Sequence, residues 1–165
     1  MRFEKVSFIE FRRHFPDGYD GYKEAKEAYE HIKLPQRATS GSAGYDFYLP
    51  QNLCIGGGCC NVATIPTGVR VFLDPGCFLM CVPRSGLGFK HGLRLKNTTG
   101  IIDEDFVMGE SEGHILAAIT TDSPVSLHTG DRFMQGIIVK YGVTEDDCPM
   151  SDKRTGGVGS TGGAG

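Results

Sequence analysis

From residue 44 onward, apolar residues come in short runs at roughly ten-residue spacing. They lie at 45–49 (YDFYL), 61–65 (NVATI), 69–73 (VRVFL), 77–82 (CFLMCV), 92–96 (GLRLK), 114–120 (HILAAIT), 125–127 (VSL) and 132–141 (RFMQGIIVKY). Between them stand GGG at 56–58, PTG at 66–68, DPG at 74–76, TTG at 98–100, DSP at 122–124 and TGD at 129–131. Gly and Pro set the dihedrals of tight turns. Short strands so punctuated predict an all-β domain: a sandwich, barrel or jelly roll. Strands and helices do not alternate along the chain, which excludes a doubly wound α/β sheet. Upstream the texture differs. Residues 3–8 (FEKVSF) read as a first strand. Asp20 stands where a cap would for a helix over 22–32, with Tyr22, Ala25, Tyr29 and Ile32 on one face and Lys and Glu opposite.

This pattern divides a single domain, residues 1–165, into an N-terminal insert (9–33), a β core (34–150) and a C-terminal arm (151–165). The insert is expected to be a surface appendage, and it is where a protein partner would dock. The arm holds six glycines and no apolar run, and reads as flexible. At 165 residues the chain fits one domain, and 39% hydrophobic residues suffice for a packed core. A net charge of −3 excludes a polybasic nucleic-acid wrapper, and aromatics are not interleaved with basic residues as a single-strand binder requires. No apolar run is long enough to span a membrane, and charges interrupt the N-terminus too often for a secretory signal. A cytoplasmic protein is therefore expected, with neither nucleic acid nor membrane as partner. Cysteines stand at 54, 59, 60, 77, 81 and 148 with no C-x-x-C pair, and Cys77 and Cys81 share one face of a strand, as buried thiols do.

Charge is segregated in the middle of the chain. Residues 84–96 carry four Lys/Arg and His91 without an acid; residues 103–112 carry five acids without a base. A basic, glycine-containing turn beside an acidic one suits a polyanion and its metal; two solvated loops would show the same charges. In PRSGLG (83–88), Arg84 offers a planar fork for phosphate oxygens, Ser85 an adjustable donor, and Gly86 close backbone approach. In GIIDEDF (100–106), a hairpin arm would put Asp103 and Asp105 on one face and Glu104 on the other. A carboxylate there can orient a water and accept its proton, although turn carboxylates also bond their own backbone. GVGSTG (157–162) matches a dinucleotide fingerprint, but only three residues follow it, so no helix can. What remains is a run of Gly, Ser and Thr beside Arg154, suited to wrapping a phosphate chain.

Five segments, in order, carry a resemblance: AGYDF (43–47), PRSGLGFKHGL (83–93), NTTGIIDEDF (97–106), GDRFMQGI (130–137) and RTGGVGSTGG (154–163). Over about residues 34–163 the chain resembles the trimeric dUTP pyrophosphatase (dUTPase) family. The resemblance implies a jelly-roll-like β-barrel assembled as a homotrimer with shared active sites. It implies hydrolysis of dUTP to dUMP and pyrophosphate with Mg²⁺, which limits uracil incorporation into DNA and supplies dUMP for thymidylate synthesis. It makes Asp103 the base that activates the attacking water. Asn97 and the backbone of Gly100, Ile101 and Ile102 would read uracil, and Phe106 would pack on the deoxyribose. Arg84, Ser85 and Gly86 would cradle phosphates with Gln135 on the same side, and Asp46 would hold Mg²⁺ through water. Arg154, Gly157, Val158, Gly159, Ser160 and Thr161 would form an arm closing over the substrate, usually on a neighbouring subunit's site.

The chain departs from the family pattern in places. Phe106 replaces the usual tyrosine, and Val158 the arm's usual aromatic. One extra residue stands between Phe106 and Gly109. Arg154 lies one position nearer the double glycine, with Lys153 in the other register. Two other functions fit the same scaffold: a dCTP deaminase or bifunctional relative, which GIIDEDF resembles less, and a regulatory protein that engages a partner through residues 9–33.

Overall fold

The computed structural model describes residues 1–16, 20–58 and 60–149. In chain order its elements are β1 (Arg2–Lys5), α1 (Phe8–His14), α2 (Gly21–His31), β2 (Gln36–Arg37), β3 (Gly44–Tyr48), β4 (Leu53–Ile55), β5 (Val62–Pro66), β6 (Val69–Phe72), β7 (Cys77–Pro83), α3 (Ser85–His91), β8 (Arg94–Leu95), β9 (Gly100–Ile102), a 3₁₀ turn (Phe106–Met108), β10 (Leu116–Thr120), β11 (Val125–Leu127) and β12 (Arg132–Lys140). The fold is all-β in its framework, as the spacing of apolar runs predicts. Every named strand pair is antiparallel. A five-stranded sheet runs β2-β3-β12-β7-β9, and a three-stranded sheet runs β5-β10-β8; β1-β6 and β11-β4 form two-stranded ribbons. Among the described residues no helix is long and apolar enough to cross a membrane.

Strand β7 shows why the apolar runs fold this way. Cys77, Leu79 and Cys81 are buried while Phe78, Met80 and Val82 are half-buried, the period-two alternation of a strand packed mainly on one face. The two cysteines share the inner face, as their spacing predicts. Phe47, Leu49, Ile55, Leu79, Ile119, Phe133 and Met134 fill the interior with them. Gly136 allows this packing: a Cβ there would stand 2.9 Å from both Leu79 Cδ1 and Phe47 Cε2.

The N-terminal segment departs from expectation. It is not a surface appendage: Phe11, Phe15, Ala25, Ala28 and Ile32 belong to the same buried cluster as the β core. The first strand stops at Lys5. Ser7 then caps α1 by accepting a hydrogen bond from the Glu10 N–H, and Phe8, Phe11 and Phe15 recur at helical spacing. Helix α2 lies where the sequence places it, with Asp20 at its N-cap position but without a side-chain cap bond. Ala25 and Ile32 face inward, yet Tyr22 is 63% exposed and Ala28 takes the inner position instead. Gly68, at the β5–β6 turn with φ of +69°, marks the contact: a Cβ there would fall within the Ile32 side chain.

Two further elements depart from the sequence reading. Residues 92–96 form only the short β8, because 85–91 are helical and Gly92 closes α3 in the left-handed conformation. The 114–120 run enters its strand only at Leu116.

Candidate active site

Strand β9 is the outermost strand of the five-stranded sheet, paired with β7 through Gly100↔Cys81, Met80↔Ile101 and Leu79↔Ile102. Among the described residues one side of its backbone therefore faces no strand, and the donors and acceptors there can meet a ligand. Gly100 lets β9 lie close on β7, since a Cβ there would stand 3.1 Å from Cys81 Cβ. Before it, the chain turns tightly. Thr98 N–H donates to Leu95 O at 2.9 Å and Thr99 N–H to Asn97 O at 2.7 Å, and Thr98 adopts φ of +66°. A β-branched residue takes that conformation only where its surroundings impose it. The turn brings Asn97 to the mouth of a cavity of about 160 Å³.

Five residues singled out from the sequence line this cavity: Asn97, Gly100, Ile101, Ile102 and Phe106. Cys81, Ile115 and Met134 complete its apolar floor. Burial pushes the Cys81 thiol up to about 12, so the floor is neutral. Phe106 is 5% exposed, held by the 3₁₀ turn. The cavity can take a flat ring with a polar edge: ring faces meet apolar side chains, and the edge meets the β9 backbone and Asn97.

The acids follow at the far end of β9. Asp103 and Asp105 are exposed, and Asp103 O accepts the Phe106 N–H at 3.2 Å. Glu104 points away, its Oε2 accepting the Gly76 N–H at 2.6 Å. It ties the turn to the start of β7. Tyr141 lies beside this group: burial first, then the carboxylates of Glu104, Asp103 and Asp105, raise its phenol above the usual range.

A second cluster forms at the other end of β7. Asp46 is 5% exposed, and its two oxygens meet Arg84 Nε and Arg132 Nη1, each at 3.1 Å. Two guanidiniums against one carboxylate leave net positive charge, with both side chains partly exposed. Gln135 stands opposite Asp46 on β12 and opposite Val82 on β7, so it shares their face of the sheet. Ser85 and Gly86 begin α3 and are exposed, with Arg84 as its N-cap residue. A Cβ on Gly86 would meet nothing within 4 Å in this chain. Arg132 was not singled out from the sequence. It sits inside the GDRFMQGI segment, but its bond to Asp46 depends on the β3–β12 pairing, which no local motif states.

Asp103 and Arg84 do not meet within one chain. Ile102 pairs with Leu79, five residues from Arg84, which is about 16 Å along the strand at about 3.3 Å per residue. Asp103 lies one residue beyond. Arg154, Gly157, Val158, Gly159, Ser160 and Thr161 fall outside the described residues.

The model of the dUTPase family matches residues 30–162. The chain belongs to the dUTPase family. It is 35% identical over 135 residues to the deoxyuridine 5'-triphosphate nucleotidohydrolase of Lactococcus lactis subsp. lactis (strain IL1403), covering 79% of this chain and 89% of that protein. It is 37% identical over 138 residues to the protein of the same name from Shewanella baltica (strain OS185), covering 78% and 86% respectively. Its fold matches the crystal structure of a dUTPase from Streptococcus mutans with a TM-score of 0.64 at 30% identity, covering 87% of this chain and 98% of that one. The dUTPase from phage phi11 of S. aureus shares the fold with a TM-score of 0.59 at 20% identity, covering 74% and 92%. The dUTPase match begins at residue 30. Helix α1 and most of α2 therefore precede it, although they pack into the core.

Proposed function

We propose that this chain hydrolyses dUTP to dUMP and pyrophosphate. The observation that carries the reading is the cavity at the edge of β9, where Asn97, Gly100, Ile101, Ile102 and Phe106 come together in a dUTPase-family chain. The β9 backbone and Asn97 would pair with the edge of uracil. Cytosine reverses that donor and acceptor pattern, and each buried polar group left unpaired costs about 1–3 kcal/mol. Thymine would bring its methyl against the β9 backbone. Phe106 would cover the deoxyribose with its ring face.

Asp103 is assigned as the base that orients water for in-line attack on the α-phosphorus and takes its proton. Such a step depends on positioning and charge neutralisation more than on covalent catalysis. Arg84, Ser85, Gly86 and Gln135 would receive the phosphates, with Arg132 adding charge through its contact to Asp46. Arg154 with residues 157–161 would close over them.

Mg²⁺ is the cofactor proposed. Asp46 fits it as a carboxylate that already accepts one guanidinium contact on each oxygen and retains capacity to accept from a metal's water. Bound with the triphosphate, the ion would neutralise charge on the departing pyrophosphate.

A homotrimer with shared sites is part of the same proposal, and two features support it. Asp103 and Arg84 lie at opposite ends of β7, which favours a site completed by another copy. The outer face of the five-stranded sheet carries Phe78, Met80, Val82, Ile137 and Val139, all half-buried, with Ile101 52% exposed beside Met80. An apolar face of this kind marks an interface, and Asp46 and Gln135 stand on it. Among the described residues the free thiols Cys60, Cys77, Cys81 and Cys148 support a reducing, cytoplasmic setting.

The test is pyrophosphate release from dUTP, dTTP, dCTP and UTP, with Asp103→Asn in parallel. Turnover of dUTP alone is expected. Asp103→Asn should lower it by about 10²-fold or more, while calorimetry shows dUTP still bound. Near-normal turnover in that variant removes Asp103 from the role, and ammonia released from dCTP would assign a deaminase instead.

A further inference from the structure

Helix α1 grips the segment between Phe106 and β10 at two points. At the first, the Glu112 carboxylate accepts both the Ser7 N–H at 2.8 Å and the Ser7 hydroxyl at 2.6 Å. Ser7 is the cap of α1. Glu112 has φ of +54°, a left-handed conformation that a non-glycine residue holds only where its contacts enforce it. Its N–H donates to Gly109 O at 3.0 Å, and Arg70 Nη1 lies 3.7 Å from its carboxylate. Gly113, next in the chain, must lack a side chain, because a Cβ would stand 2.6 Å from Val107 Cα.

At the second point, Glu10 Oε1 lies 3.1 Å from His14 Nε2 and 3.6 Å from His114 Nδ1. Glu10 and His114 are 2% and 1% exposed. These three groups could be mistaken for a metal centre, but the tautomer decides otherwise. Gly68 N–H donates to His114 Nε2 at 3.0 Å, so the neutral ring carries its proton on Nδ1, facing Glu10. A metal would need that Nδ1 lone pair and would leave an Nε2–H aimed at an amide N–H, whereas ligating histidines give their second N–H to an acceptor. The cluster is a buried carboxylate–imidazole contact at 3.6 Å that stops short of a hydrogen bond.

The segment so gripped leads on both sides into the cavity. Phe106 lines it from before, and Ile115, Leu116 and Ala117 from after. We propose that Glu112 is a positioning residue: by clamping Ser7 at the head of α1, it sets the cavity wall formed by Phe106 and Ile115, and so couples docking of the N-terminal helices to substrate affinity. The helix α1 it engages precedes the part of the chain that the family model matches. The inference rests on the reading of the cavity as the site for the deoxyuridine moiety.

The test uses the full chain as Glu112→Gln and, from the other side of the clamp, Ser7→Ala. Pyrophosphate release is measured over a dUTP concentration series, with thermal unfolding and amide hydrogen exchange alongside. Both variants are expected to raise KM about five- to tenfold with kcat within about twofold, and the double variant to be no worse than the worse single one. Exchange should quicken at residues 106–117. A KM within about twofold of the parent in both variants overturns the proposal, even with faster exchange, because the clamp then does not reach the substrate. Equal losses in kcat and stability without a KM change overturn it as well, since they mark a structural role alone. If Glu112→Gln does not fold, Ser7→Ala decides by the same criteria. A parent that releases no pyrophosphate from dUTP removes the reading of the cavity and this inference together; an active parent whose variants keep its KM removes this inference only.

Discussion

Replacing Phe11 by alanine should destabilise the protein by about 3–5 kcal/mol. Its ring is 0% exposed and lies 5.5 Å from Phe15, 5.6 Å from Tyr29 and 6.2 Å from His114, centroid to centroid. Full burial of such a side chain is worth about 1.5–3 kcal/mol in transfer from water. The unfilled space adds to that, because Gly68, Ile32 and Phe15 around it come from three separate segments, the β5–β6 turn and the ends of α2 and α1, and cannot all collapse inward. A chain of this size loses about 2–4 °C of Tm per kcal/mol, so the shift should be about 6–20 °C. A parent in the upper part of the usual range of about 5–15 kcal/mol leaves the variant folded at room temperature. Circular dichroism melts at one protomer concentration measure it, since assembly would make Tm depend on concentration. Ile9→Ala is the matched control. Ile9 is 72% exposed on the same helix, and its loss should stay within about 0.5 kcal/mol. If Phe11→Ala melts with Ile9→Ala, α1 is not part of the core, and the clamp on Ser7 loses its physical basis.

Two more outcomes follow from the geometry. Gly100→Ala places a methyl 3.1 Å from Cys81 Cβ, so β9 must shift by a few tenths of an ångström; KM for dUTP should rise with little change in Tm, and an unchanged KM would remove β9 as the edge that reads the base. The stability of the parent should also fall on acidification. Burial first, then the nearby His14 charge, push the His114 ring down to about 4 from 6.5, so the unfolded chain takes up the proton before the folded one does. Stability from this group is complete above about pH 6.5 and drains away toward pH 4, at about 1.4 kcal/mol per unit. Urea midpoints at pH 7.5 and 4.5 measure it, and an equal loss in His114→Gln would assign the acid sensitivity to other groups.

What the sequence discloses follows the range of the interactions involved. The strands are legible because period-two burial and Gly/Pro turns are local: β7 alternates residue by residue, and DPG at 74–76 starts it. Helix α3 is not, because Gly86 and Gly88 lower helix propensity. It forms nonetheless between an Arg84 carbonyl that accepts the Leu87 and Gly88 N–H groups and a left-handed Gly92 that ends it. Helix α1 hides for a different reason. Its phenylalanines follow directly on a stretch that reads as strand, and their helical spacing over 8–15 becomes decisive only when Gly68 and His114 supply the opposite wall. The site divides in the same way. Asn97 to Phe106 lie in one run, so a single segment of sequence carries five of the eleven residues that line the cavity. Asp46, Arg84, Arg132 and Gln135 come from three strand regions and meet only through the β3–β12–β7 register. That register also sets the separation of the two halves. Side chains cannot close a gap of about 16 Å along one strand, so Asp103 and Arg84 do not touch one another within one copy. Tertiary pairing within one copy therefore does more than arrange a site that the motifs already imply: it sets the two halves at opposite ends of β7.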